Sequence, residues 1–231
     1  DYVDSDCVSD KPFRVHVALK VHGDTVSVDF RETDDQASGP INFLLHPDAA
    51  RMMVTRFLSW KDPSVLLNHG AFEPIIEVLL RPGSLVQPRH PASLGLRAHT
   101  LYRVLNSIMG NFAQATNGAT PAGAGDYVIY MLRSLDTQSG TFTLLIDGIG
   151  VGQGARPFGD GLDVIYSARG QKNFPIEFIE SEFPVQILNY AIHQDSGGPG
   201  TFRGGAGVVR DVRVLTPKAI LGTRMNGVKC P

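Results

Sequence analysis

Two glycine-dense segments restrict most strongly how this chain can fold. They run over Gly148–Gly161 and Gly197–Gly207, and a strand-like stretch, Val185–Ile192, lies between them. Glycine disfavours helix and strand interiors because it has the most backbone freedom to lose on folding. In the first segment glycine occurs at every second position from Gly148 to Gly154. Two interpretations are open: close packing of backbone against backbone, which we favour, or contact with a ligand.

The second segment, Gly197–Gly207, is the more unusual of the two. Its glycines expose backbone N–H groups, and such a loop can cradle an anion. It lacks the lysine and Ser/Thr of a P-loop and precedes a strand-like stretch instead of a helix, so it matches neither nucleotide-binding fingerprint. A tight structural crossover is the favoured interpretation and ligand contact the alternative. Ser196 is not in a Gly-x-Ser-x-Gly elbow, and we expect it to cap the turn.

The remaining sequence indicates strands and two amphipathic helices. Alternating apolar residues from Phe13 to Phe30 predict a β-hairpin. Apolar residues at helical spacing predict helices over 47–60 and 91–115. Further strands are predicted over 72–80, 127–146 (two strands), 176–183, 185–192, 208–215 and 219–225, the last two as a pair.

About nine strands and two helices, without regular βαβ alternation, favour an α+β fold with mostly antiparallel sheets. A chain of 231 residues can form one large domain or two small ones, and we place a possible boundary near 116–126. The sequence starts at Asp1 without a methionine. We therefore expect it to be an internal fragment.

Charge and hydropathy exclude several classes of partner. With a formal net charge of −2, the chain lacks the positive potential that would attract nucleic acids or anionic membranes. A small or neutral partner is therefore favoured. The apolar runs fall far short of the roughly 20 residues that cross a bilayer. Cys7 and Cys230 are too few for a disulfide scaffold or metal framework. We expect a reducing cytoplasm as the location.

Titratable residues do not define a catalytic site. Glu177, Glu180 and Glu182 lie in the predicted strand 176–183, with Glu180 and Glu182 on one face. Paired carboxylates can bind a metal or transfer protons, but an exposed strand face is commoner. The seven histidines form no pair at metal-ligand spacing on a helix, so we predict no metal site in this chain.

Several strings of residues, in a fixed order along the chain, resemble the hydantoinase B/oxoprolinase family. The most characteristic string is Asp195–Gly200 followed by Phe202–Gly205. The others are Val28–Arg31 with Gly39–Asn42, Pro82–Ser84 with Pro88, Pro91–Ala92 and Arg97, Gly152–Ala155 with Asp160–Gly161, and Pro175–Glu177 with Glu180. Their joint occurrence over essentially the whole chain is more specific than any single glycine loop.

The resemblance implies part of an ATP-dependent hydrolase of cyclic amides such as 5-oxoproline or N-methylhydantoin. A hydantoinase A-like partner would bind ATP and Mg²⁺, and phosphorylation would turn the amide oxygen into a leaving group. This subunit, of the N-methylhydantoinase B type, would hold the phosphorylated intermediate or hydrolyse it. Related subunits carboxylate ketones such as acetone or acetophenone, which leaves carboxylation open.

The resemblance also implies that this fragment is inactive alone. Family members carry an upstream region rich in histidine and aspartate, where a divalent metal is expected, and a glycine-rich C-terminal portion. Neither region is present in residues 1–231. A third interpretation is a structural or subunit-docking module, in which the glycines serve packing and the helix over 91–115 meets a partner. An exposed apolar face on that helix would support it.

Neither the residues nor the resemblance assigns a catalytic residue. The candidates for substrate or anion binding are instead chosen on physical grounds, from the second glycine-dense segment and the two residues before it. Arg203 lies among glycines, and a guanidinium group grips phosphate or carboxylate bidentately. The candidates are Asp195, Ser196, Gly198, Arg203 and Gly204.

Overall fold

A computed structural model describes residues 1–65, 69–123, 128–135, 140–166, 172–225 and 227–229. The chain divides into two compact units. Unit 1 comprises Asp1–Thr120 with Asn226–Pro231, and unit 2 comprises Pro121–Met225. The described ranges contain four helices and ten strands, and one strand pairing of six is parallel. The predicted α+β class with mostly antiparallel sheets is therefore confirmed.

Unit 1 combines short strands with three helices. The predicted hairpin is present, and Gly23 in its turn has a φ of +57°, which glycine adopts without strain. A parallel third strand completes its sheet. The elements are β1 (Tyr2–Val3), β2 (Phe13–Arg14), β3 (Ala18–His22), β4 (Thr25–Asp29), α1 (Pro47–Lys61), α2 (His69–Phe72), β5 (Ile76–Leu79) and α3 (Arg97–Ala115).

Both predicted helices form and pack into one core. Proline at the first position of α1 suits a helix start, because its missing N–H would have no partner there. Phe57 of α1 stacks on Phe112 of α3, with ring centroids 3.9 Å apart. The side chains of Val104 and Ile108 are buried in the same cluster. The apolar face of α3 is thus covered within unit 1 and gives no support to docking through this helix.

Unit 2 contains two sheets that share a second core. Tyr130, Leu132 and Leu145 of one sheet pack with Val185 of the other and with Ile179. The elements are β6 (Val128–Leu135), β7 (Phe142–Ile149), α4 (Ile176–Glu182), β8 (Val185–Ile192), β9 (Val208–Val214) and β10 (Ala219–Arg224). In the first sheet β6 pairs with both neighbours, in the order β10-β6-β7, and β8 pairs with β9 in the second.

Two predictions for unit 2 are wrong. The segment predicted as a strand over 176–183 is the helix α4, in which Ile179 is buried whereas Phe178 is exposed. The eight residues between Pro175 and Pro184 suit either structure, and packing of Ile179 into the core decides for the helix. The strands β9 and β10 are correctly placed but do not pair, because each joins an earlier strand instead.

Cys7 is an exposed free thiol, whereas Cys230 lies outside the described residues, as do residues 124–127 near the predicted boundary and 136–139 between β6 and β7. Among the residues that were searched, no helix is both long and apolar enough to cross a membrane.

Candidate functional site

The two glycine-dense segments lie directly against each other in unit 2. A methyl group on Gly152 would overlap the carbonyl oxygen of Gly205, so only glycine fits there. The Gly205 N–H donates to the Gln153 carbonyl at 2.8 Å, and the Gly161 N–H donates to the Arg203 carbonyl at 2.8 Å. This contact supports the backbone-packing interpretation of both segments.

Two aspartates, one in the first segment and one just after it, form hydrogen bonds to the second segment. The Asp160 carboxylate accepts the Arg203 backbone N–H at 2.8 Å. Asp163 accepts the Ala206 N–H at 2.7 Å and the Arg203 guanidinium at 3.2 Å. The Ala206 N–H bond, and then the Arg203 side chain, lower the pKa of Asp163 below its usual value. Asp160 belongs to one of the strings that resemble the family, but neither aspartate was among the site candidates chosen from the sequence.

The predicted candidates lie together in the second segment. Ser196 caps the turn: its hydroxyl donates to the His193 carbonyl at 2.7 Å and accepts the Gly207 N–H at 2.8 Å. The Gly204 N–H donates to the Gly198 carbonyl at 2.8 Å. Asp195 adopts a positive φ of 58°, which aspartate tolerates better than most residues.

The side chain of Arg203 is partly open to solvent, as are the other candidates Asp195 and Ser196. It is 47% exposed, and its Nη1 donates to Asp163 and to the Gly204 carbonyl. Gly198 is open as well, since an added Cβ would meet no atom within 4 Å. The guanidinium group itself lies against Gly197, where an added Cβ would meet Nη1 of Arg203 at 2.9 Å.

A second polar site, not predicted from the sequence, lies between the two sheets of unit 2. Arg210 of β9 donates from Nη1 to Asp147 of β7 at 2.6 Å. The two side chains are 1% and 6% exposed. The Arg210 guanidinium lies 5.6 Å from the Tyr130 ring centroid and 4.9 Å from that of Tyr190. The Asn173 side-chain amide donates to the Tyr190 hydroxyl.

Burial is the main cause of the raised pKa values of two tyrosines near this ion pair. It raises the pKa of Tyr130 to about 12; the nearby Arg210 cation opposes the shift and the Asp147 carboxylate reinforces it. Burial, followed by the charge of Asp147, also raises the pKa of Tyr166 to about 12. Both phenols therefore stay protonated at neutral pH. Arg210 is visible in the sequence as a charged residue of β9. That its side chain is buried becomes known only from the fold.

Within the searched residues, no group of three or more His, Cys, Asp or Glu side chains is arranged to hold a metal ion. A cavity of about 520 Å³ opens beside the Arg210–Asp147 pair, lined by both sheets. Its volume is typical of small-molecule sites, which span roughly 300–1,000 Å³.

Known proteins that resemble this chain include one curated relative and two solved structures. The B-type subunit of a putative D-/L-hydantoinase from Pseudomonas sp. (strain NS671) is 28% identical over 226 residues, which cover 93% of this chain and 37% of the relative. A nucleotide-free structure of acetone carboxylase superposes with a TM-score of 0.69 at 18% identity, covering 94% of this chain and 30% of that one. The ATP-dependent caprolactamase from Pseudomonas jessenii gives 0.62 at 20% identity, covering 87% and 35%.

This chain therefore spans about a third of the length of these relatives. The two solved structures show that its fold is shared with much larger proteins. The family model described as hydantoinase B/oxoprolinase matches residues 1–231, which is the whole of the sequence. On that match, the chain belongs to the hydantoinase B/oxoprolinase family.

Proposed function

We propose that this chain is part of a cytoplasmic, ATP-dependent enzyme that hydrolyses a cyclic amide of the 5-oxoproline or N-methylhydantoin type. The observation that carries the proposal is the family match over every residue. The similarity to a hydantoinase subunit and the fold shared with a caprolactamase favour ring opening of an amide. A hydantoinase A-like partner completes the proposed enzyme.

We assign ATP and Mg²⁺ to the partner because the second glycine-dense segment, as the structure describes it, does not fit a nucleotide. Phosphate-binding glycine loops use free backbone N–H groups, together with a lysine. Here the N–H groups of Gly204, Gly205, Ala206 and Gly207 all donate to other groups of the chain. We therefore derive no step of nucleotide chemistry from these residues. A possible divalent metal is likewise placed outside this fragment.

Arg203 is proposed to bind a charged intermediate of the reaction. Its partly exposed side chain is oriented by Asp163 and keeps 47% of its surface open to solvent. A guanidinium group already held by one partner loses less freedom when it binds a second oxygen anion. Asp195, Ser196 and Gly204 are proposed to shape this loop.

Ketone carboxylation is the second candidate function. The fold shared with acetone carboxylase, at a TM-score of 0.69, favours it specifically. A docking module is the third candidate. An exposed apolar face on α3 would have supported it, but α3 packs its buried apolar residues into the core of unit 1.

Phosphate release from ATP distinguishes the three functions. The full-length protein and its hydantoinase A-like partner are assayed with 5-oxoproline, with N-methylhydantoin, and with acetophenone plus bicarbonate. Release stimulated by a cyclic amide alone is the expected result. A requirement for both ketone and bicarbonate would establish carboxylation instead, and no release with any substrate would favour the docking module.

A further inference from the structure

Strand β9 leaves one edge of the second sheet of unit 2 open. The sheet consists of β8 and β9, and in the described part of the chain β9 pairs only with β8. An unpaired edge presents a row of backbone N–H and C=O groups to which a further strand can bind. We call the side of β9 that faces away from β8 the open edge.

Hydrogen bonds at the two ends of β9 show which of its residues face the open edge. Just after β9, the Leu215 N–H donates to the Pro184 carbonyl, and just before it the His193 N–H donates to the Gly207 carbonyl. The bulge near Leu188 lies on β8, so the alternation along β9 is uninterrupted. Odd-numbered residues of β9 therefore bond to β8, and the N–H and C=O groups of even-numbered residues face the open edge.

The sequence around β9 is complementary to itself in the antiparallel direction about Val212. Val212 packs against the core of unit 2, so alternation places its neighbours Asp211 and Arg213 on the other face of the sheet. Val209 and Leu215 lie on that face at equal distances from Val212. If a second β9 pairs about Val212, each Asp211 lies opposite an Arg213, and each Val209 lies opposite a Leu215.

This register also suits the backbone groups of the open edge. It sets Val212 opposite its own copy and Arg210 opposite Val214, and all three are even-numbered. Asp211 and Arg213 then form a non-hydrogen-bonded pair, in which the Cα atoms are only about 4.5 Å apart. The two neighbouring registers that keep even-numbered residues paired are centred on Asp211 or on Arg213. Each of these sets a charge opposite its own copy, which is unfavourable.

Charged side chains on an edge strand can also prevent pairing between copies of a protein. Charges of a single sign do so by repulsion. Asp211 and Arg213 are both exposed, but they have opposite signs and lie on either side of Val212. Two copies paired about Val212 therefore attract each other through these charges.

The cleft beside the open edge leaves apolar surface uncovered. Leu221 of β10 lines this cleft together with Val212 and Val214, and it is 63% exposed. As described, the second core includes residues of β6 to β9 but none of β10. The second sheet has two strands against three in the first. A strand added at the open edge would widen the narrower sheet.

We propose that two copies of this protein associate through the open edge of β9, antiparallel about Val212. With two strands from each copy, the product is one continuous sheet in the order β8-β9-β9-β8. The interface has two-fold symmetry, so Asp211 of each copy pairs with Arg213 of the other. This association does not depend on which reaction the enzyme catalyses.

Sedimentation equilibrium of the full-length protein, without the hydantoinase A-like partner, tests the association. The wild-type protein is expected to be a dimer. Asp211→Arg and Arg213→Asp each set like charges opposite each other, and each should weaken self-association about tenfold or more. Mixing these two variants should restore a dimer, because both charge pairs again have opposite signs. A general loss of folding could not be rescued in this way.

Cysteine cross-linking tests the register without changing any charge. Val212→Cys places two cysteines opposite each other with Cα atoms about 5.5 Å apart, which a disulfide can span. Mild oxidation should then give a covalent dimer on a non-reducing gel. Val209→Cys is the matched control and should stay uncross-linked, because it lies opposite Leu215 instead of its own copy. Both variants also carry serine at positions 7 and 230, where the chain has its own cysteines.

Three results would overturn the proposal. One is a monomeric wild-type protein, and another is a dimer that both charge variants leave intact. The third is equal cross-linking of Val212→Cys and Val209→Cys. A dimer that forms only after the hydantoinase A-like partner is added, without cross-linking of Val212→Cys, would assign the contact to that partner and would contradict the proposal as well.

Discussion

Asp147 and Arg210 lie 63 residues apart in the sequence and form a 2.6 Å ion pair between the two sheets of unit 2. Removing one partner of a buried pair leaves the other charge without compensation, at a cost of about 3–5 kcal/mol. We therefore expect Asp147→Ala to destabilise unit 2 by about 3 kcal/mol or more in urea unfolding.

The exposed Asp211 offers a matched control for that experiment, and Asp211→Ala should change the free energy of unfolding by less than about 0.5 kcal/mol. The double variant Asp147→Leu with Arg210→Met should recover much of the lost stability, because apolar residues can replace a buried pair. A small effect of Asp147→Ala alone would show that the pair is more hydrated than its burial indicates.

Gly152→Ala tests the contact between the glycine-dense segments. The new methyl group would overlap the Gly205 carbonyl oxygen, so the backbone must move and hydrogen bonds across the contact should be lost. We expect a loss of about 2 kcal/mol or more in thermal or urea unfolding. Gly110 lies within α3, and a Cβ added there would meet no atom within 4 Å outside the backbone of its own helix. Gly110→Ala should therefore raise the free energy of unfolding by about 0.5–1 kcal/mol. Equal effects of the two substitutions would contradict the close packing.

Asp29 makes the stability of unit 1 depend on acid pH. Hydrogen bonds from the Arg31 side chain lower its pKa from 3.8 to about 2. A carboxyl group whose pKa is lower in the folded state stabilises fully above its unfolded pKa, and this stability is lost as pH falls through the folded pKa. Because Arg31 is largely exposed, we expect a contribution on the order of 1 kcal/mol, lost between about pH 4 and pH 2. Urea unfolding of Asp29→Asn should lack this part of the pH dependence.

Arg203→Ala tests the proposed role of the second glycine-dense segment. Loss of a charge-assisted contact to an anionic intermediate should lower substrate-stimulated phosphate release about tenfold or more. Arg156→Ala removes an exposed arginine that contacts the Asp160 carbonyl in the first segment, and it should leave the rate nearly unchanged. Full activity of Arg203→Ala in the complete enzyme would end this assignment.

Local sequence patterns predicted local structure well. The helices α1 and α3 and the hairpin of β3 and β4 follow from spacing between neighbours in the chain. The pairing of β10 with β6 depends on contacts between distant segments, and no local signal specifies it. The helix α4 was missed for the same reason, since burial of Ile179 decides between two locally acceptable structures.

The candidate site residues also fall into those that a local pattern indicates and those that depend on distant contacts. Glycine density identified Ser196, Gly198 and Gly204, which the structure does bring together. Asp163 and Arg210 were not identified, because each is an ordinary charged residue until the fold places a partner beside it. A buried ion pair between strands leaves no fixed spacing in the sequence.

Residues 227–229 return to unit 1 after the whole of unit 2. The N–H groups of Val228 and Lys229 donate to Asp4 at 2.8 and 3.2 Å, and the Lys229 ammonium group pairs with Asp10. Unit 2 is thus an insertion, joined to unit 1 by two covalent connections. A protease cut before Asn226 leaves the covalent connection at Thr120 intact. After a cut behind Thr120, by contrast, unit 2 stays covalently joined only to residues 226–231, which noncovalent contacts with Asp4 and Asp10 hold to the rest of unit 1.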